Sequence, residues 1–142
     1  KGELSQDKDI VITENDIENL KRSKGAIYSA VSTLAKKLKL DLDDIKKIFI
    51  AGGFGTSLDI ESAIFIGLLP DLAREKFLFV GNSSLVGSRQ VLFSADARKK
   101  SHLVAGEISY LELSTEPLYM DEYIKSLFFP HTEMERFKSL KG

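Results

Sequence analysis

The residues best suited to chemistry in this 142-residue chain are glycines. Ala51-Gly52-Gly53-Phe54-Gly55-Thr56-Ser57 places three glycines within four positions, so its backbone can take positive φ and admit a ligand where a Cβ would stand. A second loop, Gly81-Asn82-Ser83-Ser84-Leu85-Val86-Gly87-Ser88-Arg89, offers backbone amides at a helix start, small hydroxyls and one guanidinium. That set can hold an anion or a ribose. Neither loop is a familiar phosphate fingerprint. A Rossmann loop starting at Gly53 would need its third glycine where Leu58 stands, and the absence of any Gly-Lys-Ser/Thr excludes the Walker lysine loop. Each loop also has a plain structural reading. The first suits a tight strand-to-helix turn, and in the second Asn82 or Ser83 can cap a helix while Gly87 packs closely and Arg89 lies at the surface.

Other candidates are weaker. Ser57, Ser83 and Ser84 have no base nearby in sequence, His102 falls in a charged helix and His131 in the turn Pro130-His131-Thr132, so neither a nucleophile nor a two-histidine metal site emerges. Asp59 and Glu61 flank the first loop, where they could meet a magnesium-bound phosphate, but capping and the helix dipole account for them as well. Asp41, Asp43 and Asp44 lack the glycine and terminal glutamate of a calcium loop and read as a short helix start. With no cysteine, the chain itself cannot form disulfides, thiolate zinc sites or cysteine-ligated iron-sulfur clusters. Lys and Arg number 20 against 21 Asp and Glu, which leaves no electrostatic footprint for nucleic acid or an anionic membrane. The longest apolar run, Ala63 to Leu69, is far short of the roughly 18–20 residues a spanning helix needs. No signal-peptide pattern opens the chain, and a reducing cytoplasm fits. The polar leader that begins at Lys1 reads as a cut from a longer protein.

The elements that must position the loops follow from periodicity. Residues 1–12 read as the leader and a short strand, Ile10 to Ile12, that continues an upstream domain; residues 13–142 form the domain proper. Thr13 and Asp16 are spaced for a helix start, and positions 17, 20, 24, 27, 31, 34 and 38, apolar except Lys24, predict one amphipathic helix from Glu14 to about Lys39. Lys21, Arg22, Lys36 and Lys37 then form its solvated face. Lys47 to Ala51 predicts a strand buried on both faces, running into the first glycine loop. Asp59 or Ser57 caps a helix that ends before Pro70, and Lys76 to Val80 predicts a second strand ending in the second loop. Helices follow over 85–93 and 95–105, then a half-exposed strand over 108–113 and a helix from Pro117 to Phe129. Tyr119, Tyr123, Phe128 and Phe129 read as core or as a docking face. Alternating strands and helices imply an α/β layer structure with at least two parallel strands, and both glycine loops fall at their carboxyl ends, where such folds bind ligands.

Asp16-Ile17, Lys24-Gly25-Ala26-Ile27-Tyr28, Ile50-Ala51-Gly52-Gly53-Phe54-Gly55, Asp59-Ile60-Glu61-Ser62-Ala63, Ile66-Gly67-Leu68-Leu69-Pro70, Val80-Gly81-Asn82-Ser83-Ser84-Leu85 and Phe129-Pro130-His131-Thr132 occur in this order. Together, from about Ile12 to Phe137, they resemble the C-terminal domain of the reductive activators of corrinoid proteins. The resemblance implies the ribonuclease-H-like half of an actin-like ATPase fold, in the superfamily of acetate and sugar kinases, heat-shock chaperones and actin. It implies that Gly52, Gly53 and Gly55 pass along adenosine with Phe54 or Thr56 near it, and that Gly81, Asn82 and Ser83 sit at the neighbouring strand end. It implies ATP and Mg2+ in the full-length protein, an iron-sulfur cluster in an upstream domain, and a corrinoid protein of one-carbon metabolism as partner, whose cobalt is returned to cob(I). It leaves room for a homodimer. No counterpart of the superfamily's Asp-Gly phosphate motif is found here, so this chain alone is half of an ATP site and is expected to be inactive. The competing reading is a dimerisation or partner-docking module whose glycine loops are structural.

Overall fold

The computed structural model describes residues 11–53 and 57–140. The leader through Ile10, the loop residues Phe54, Gly55 and Thr56, and the last two residues lie outside the described residues. Val11 and Ile12 are exposed and belong to no regular element.

Helix α1 spans Glu14–Lys37. A reciprocal cap starts it, as Asp16 N donates to Thr13 Oγ1 at 3.3 Å and Thr13 N donates to Asp16 Oδ2 at 2.9 Å. The long helix is as predicted; the face it buries is not. Ile17, Leu20, Ile27, Leu34 and Leu38 are between 43% and 67% exposed, while Lys24, Gly25, Tyr28, Ser29, Ser32 and Thr33 are buried. Small and polar residues face inward because helix α5, Pro117–Lys125, comes very close. A Cβ on Gly25 would lie 3.3 Å from the Ser126 carbonyl oxygen and 3.4 Å from the Tyr123 ring. The polar inner face is matched by a polar partner. Glu122, fully buried, accepts hydrogen bonds from Ser32 Oγ at 2.7 Å, Lys36 Nζ at 2.5 Å and Arg136 Nη1 at 2.7 Å. Lys37 pairs with Glu116 at 2.5 Å, so the last lysines of α1 join two elements instead of forming a free solvated face.

Strand β1, Ile48–Ala51, lies parallel to β2, Phe77–Gly81, with Ile48 beside Phe77 and a register irregularity that brings Ala51 beside Gly81. Between them Asp59 caps α2, Ile60–Phe65, by accepting from Ser62 N at 2.7 Å. The buried core gathers Tyr28, Ala63, Ile64, Leu69, Leu72, Phe77 and Phe137, with Ile48 and Ile50 packed against it. The expectation that β1 is buried on both faces fails. Phe49 is 62% exposed, because the described elements cover only one side of a sheet of two strands.

Helices α3, Ser83–Phe93, and α4, Ala95–Glu107, pack on each other and bury no residue of their own. The strand expected over 108–113 does not form. Ile108 and Tyr110 are 71% and 83% exposed, and a strand needs a neighbour to take its backbone hydrogen bonds, which the described residues do not offer there. A 3-10 turn, Leu113–Thr115, leads instead into α5, whose first turn begins at Pro117 as predicted. That helix stops at Lys125, short of Phe129, because the chain turns back: Thr132 N donates to the Lys125 carbonyl at 3.1 Å. The returning tail puts Phe137 into the core and fastens Ser139 to Asp71 through its backbone N at 2.7 Å and its Oγ at 2.6 Å.

Candidate functional site: two glycine loops at one sheet end

Parallel pairing sends both strands out at the same end of the sheet, so the two glycine loops are neighbours. Gly52 N donates to the Gly81 carbonyl oxygen at 2.8 Å, fastening one loop to the other. Gly52 and Gly81 have φ of +89° and +63°, a conformation that favours glycine, and a Cβ on either would meet nothing within 4 Å among the described residues. Gly53 differs in conformation. Its φ is not in the left-handed region, and a Cβ there would also meet nothing within 4 Å among the described residues. Asn82 caps α3 by accepting from Leu85 N at 3.0 Å, and Ser83 opens that helix on an exposed surface, so the α3 amino end stands beside the paired loops. Phe54, Gly55 and Thr56, the other residues expected to line the site, lie outside the described residues.

The flanking carboxylates are engaged elsewhere. Asp59 holds the start of α2, and its hydrogen bonds with Ser62 keep its pKa below the usual carboxylate range. Glu61 receives both Arg74 Nε at 2.8 Å and Arg74 Nη2 at 2.6 Å, and that guanidinium lowers its pKa too. Among the described residues no cluster of three or more His, Cys, Asp and Glu side chains could hold a metal ion. Among the described residues the site presents exposed backbone, with Asp59 and Glu61 already engaged.

A second group of residues, missed by sequence reasoning, holds the scaffold on which this site rests. Lys24, fully buried, reaches from α1 to the carbonyl oxygens of Phe128 and of Pro130, the latter at 2.7 Å. Burial, with the charge of Lys21 added, pulls its pKa down to about 8. The signal was a lysine standing inside an otherwise apolar stripe. His131 stacks obliquely against Tyr28, ring centroids 5.2 Å apart, and its Nδ1 accepts from Glu133 N at 3.0 Å. The motif Phe129-Pro130-His131-Thr132 is thus a locking point between α1 and the tail.

Burial, aided by the Arg136 charge, pushes the His131 pKa down to about 4 against the attraction of Glu122 and Glu133, while the Lys24 charge also lowers it slightly. His131 is therefore neutral in the fold and takes up a proton in the unfolded chain below about 6.5. Stability is present above that pH and falls as pH drops toward 4, by up to about 1.4 kcal/mol per pH unit. Urea unfolding between pH 7 and 4 should show this slope in the wild-type protein and a flatter one in His131→Phe; equal slopes would contradict it.

A small parallel sheet with helices beside it and paired loops at the carboxyl ends of its strands has the layout in which α/β domains carry their ligand sites. The family described as the C-terminal domain of RACo, the ASKHA domain, matches residues 1–141, and this chain belongs to that family. It is 30% identical over 128 residues to the corrinoid activation enzyme RamQ of Eubacterium limosum, covering 90% of this chain and 22% of that protein. It is 27% identical over 130 residues to the [Co(II) methylated amine-specific corrinoid protein] reductase of Methanosarcina barkeri, covering 90% and 24%. A solved structure, a reductive activator for corrinoid, iron-sulfur protein, superposes with a TM-score of 0.88 at 47% identity over 96% of this chain and 22% of that one. The chain spans less than a quarter of each of these proteins. The actin-like superfamily membership expected from the motifs is thereby established, and these relatives act on corrinoid proteins. No helix among the described residues is long and apolar enough to cross a membrane.

Proposed function

We propose that this chain is the adenosine-side part of an ATP-dependent reductive activator that restores the cobalt of a corrinoid protein to cob(I). In this reading cob(II) takes up one electron from an iron-sulfur cluster in an upstream domain, and ATP with Mg2+ binds between this domain and an upstream lobe carrying the phosphate motif. Residues 13–142 would be the ribonuclease-H-like half, with residues 1–12 leading in from the preceding part. The observation that carries the reading is the pair of glycine loops joined through Gly52 and Gly81, where added Cβ atoms would meet nothing within 4 Å among the described residues. Such a surface fits the flat adenosine moiety of a nucleotide, which backbone can approach where no Cβ intervenes. The cluster does not fit this chain, which has no cysteine, and no redox step is assigned to its residues.

Titration with ATP, followed by backbone amide NMR, tests the assignment. Shifts are expected at residues 52–56 and 81–83, with weak affinity because half of the clamp is supplied elsewhere. Gly53→Val should abolish them while the amide pattern of the rest of the domain is retained, since the added Cβ meets nothing within 4 Å among the described residues. Silence of those amides together with concentration-dependent self-association would replace the nucleotide reading with a docking module. ATP turnover by this chain alone is expected to be absent, and clear turnover would overturn the half-site assignment.

A further inference from the structure

We propose that Lys24 is a positioning residue for the first glycine loop, acting through the Pro130 carbonyl on the carboxyl end of α2. The loop hangs between two anchors, β1 ending at Ala51 and α2 capped by Asp59. β1 is held by its pairing with β2, and Gly52 N is bonded to the Gly81 carbonyl. α2 has six residues, too few to persist as an isolated helix, so its place is set by what it packs against. Ala63 and Ile64 hold its inner side in the core. Its carboxyl end turns at Gly67 directly against Pro130, whose carbonyl oxygen would lie 2.1 Å from a Cβ on Gly67. That carbonyl accepts from Lys24 Nζ at 2.7 Å.

Three features fit Lys24 to this task. Its ammonium group is shared between the carbonyls of Phe128 and Pro130, and the Phe129 ring centroid stands 5.3 Å from it, so one cation fixes the direction of the whole turn. The bond to Pro130 is buried, where a lost donor leaves the carbonyl without water to replace it. The lysine also lines one groove with Ile50, Leu58 and Leu68, residues that precede the loop, follow it and follow Gly67. Glu122, the other fully buried side chain that carries a charge, is a contrast. Its partners Ser32, Lys36 and Arg136 lie on α1 and the tail, so its loss loosens the helix pair and leaves the contact between Gly67 and Pro130 in place.

The kinetic expectation rests on the nucleotide reading; the exchange expectation does not. In the full-length protein, Lys24→Met, which keeps the stem and removes the ammonium group, is compared with Glu122→Gln. Hydrogen-exchange mass spectrometry is run without nucleotide, and corrinoid reduction is followed as a function of ATP concentration. Lys24→Met should raise exchange over residues 57–67 several-fold relative to β2, and raise the KM for ATP about tenfold with kcat within about twofold of the wild-type protein. Glu122→Gln should change exchange evenly across the domain and leave the KM for ATP near its wild-type value. Lys24→Gln, which keeps an amide donor, should show the Lys24→Met pattern in smaller measure and serves where the methionine variant does not fold. The same exchange pattern in the Lys24 and Glu122 variants, or a loss of kcat at unchanged KM, would overturn the proposal. A wild-type protein whose corrinoid reduction is independent of ATP would remove the nucleotide reading, and the exchange pattern alone then decides the role of Lys24.

Discussion

Gly67→Ala should lower the stability of this domain by about 3–5 kcal/mol, enough to move the melting temperature down by roughly 10 °C or more. Gly67 ends α2 at a φ of +76°, and a Cβ there would fall 2.1 Å from the Pro130 carbonyl oxygen and 2.7 Å from its carbon. Left-handed geometry alone costs an alanine about 1–2 kcal/mol. The overlap adds more because its target is backbone: the Pro130 carbonyl accepts from buried Lys24, so it cannot swing aside without breaking that bond. Gly87→Ala is the contrasting case. It lies within α3 with nothing within 4 Å of the added Cβ, so the exchange should be neutral or stabilise by up to about 1 kcal/mol. Thermal unfolding of the two variants side by side measures the difference. A Gly67→Ala melting temperature matching that of the wild-type protein would contradict the close approach of α2 to the tail.

The second large effect is expected at Glu122. Burial by itself would raise its pKa, but hydrogen bonds from Arg136, Lys36 and Ser32 outweigh burial and hold it at about 2. The same contact raises the pKa of Arg136. Glu122→Gln removes the charge while keeping the shape, leaving Arg136, only 17% exposed, with Glu133 as its remaining counter-ion and none on α5. Breaking a buried pair on one side typically costs about 3–5 kcal/mol, and replacing Glu122 and Arg136 together by leucine and methionine should recover most of that loss. The sign of the pH dependence follows from the lowered pKa. The unfolded carboxyl titrates near 4.5, so the contribution of Glu122 is complete above that pH and is lost as pH falls through about 2. This window lies below that of His131, whose contribution is lost between about 6.5 and 4. Urea titrations from pH 7 to 2 therefore separate the two. A Glu122→Gln variant as stable as the wild-type protein at pH 7 would contradict the assignment of this carboxylate as the link between α1 and α5.

The paired loops and this α1–α5 link divide the labour of the domain. The loops expose glycine backbone, at Gly52 and Gly81, at one end of the sheet. Rigidity comes from the other side, where Lys24, Glu122 and Arg136 tie α1, α5 and the tail together and place Tyr28 and Phe137 in the core that supports β1 and β2. The turns at Gly52 and Gly81 thus hold positions set by elements remote in sequence.

Local signals in the sequence were sufficient for much of this. The Thr13 and Asp59 caps, the glycine ends of both strands, Pro117 in the first turn of α5 and the short turn at Asp41 all depend on neighbours a few residues away, and all form as read. Parallel pairing of β1 and β2 followed from the intervening α2, and with it the adjacency of the loops. The sequence also carried the family, because its motifs are short strings of residues that follow one order from about Ile12 to Phe137. Tertiary structure alone decided which face of α1 is buried. Hydrophobic periodicity marks the face that some partner will cover, but the partner within this chain is α5, and it meets the Gly25-Ser29-Thr33 side, where small residues let two helices approach and Glu122 finds its cations. The same dependence on distant neighbours left residues 108–112 without a strand and one face of β1 open. Periodicity reports that a surface is to be covered; which surface meets which is a property of contacts between segments far apart in the chain, and those contacts exist only in the folded molecule.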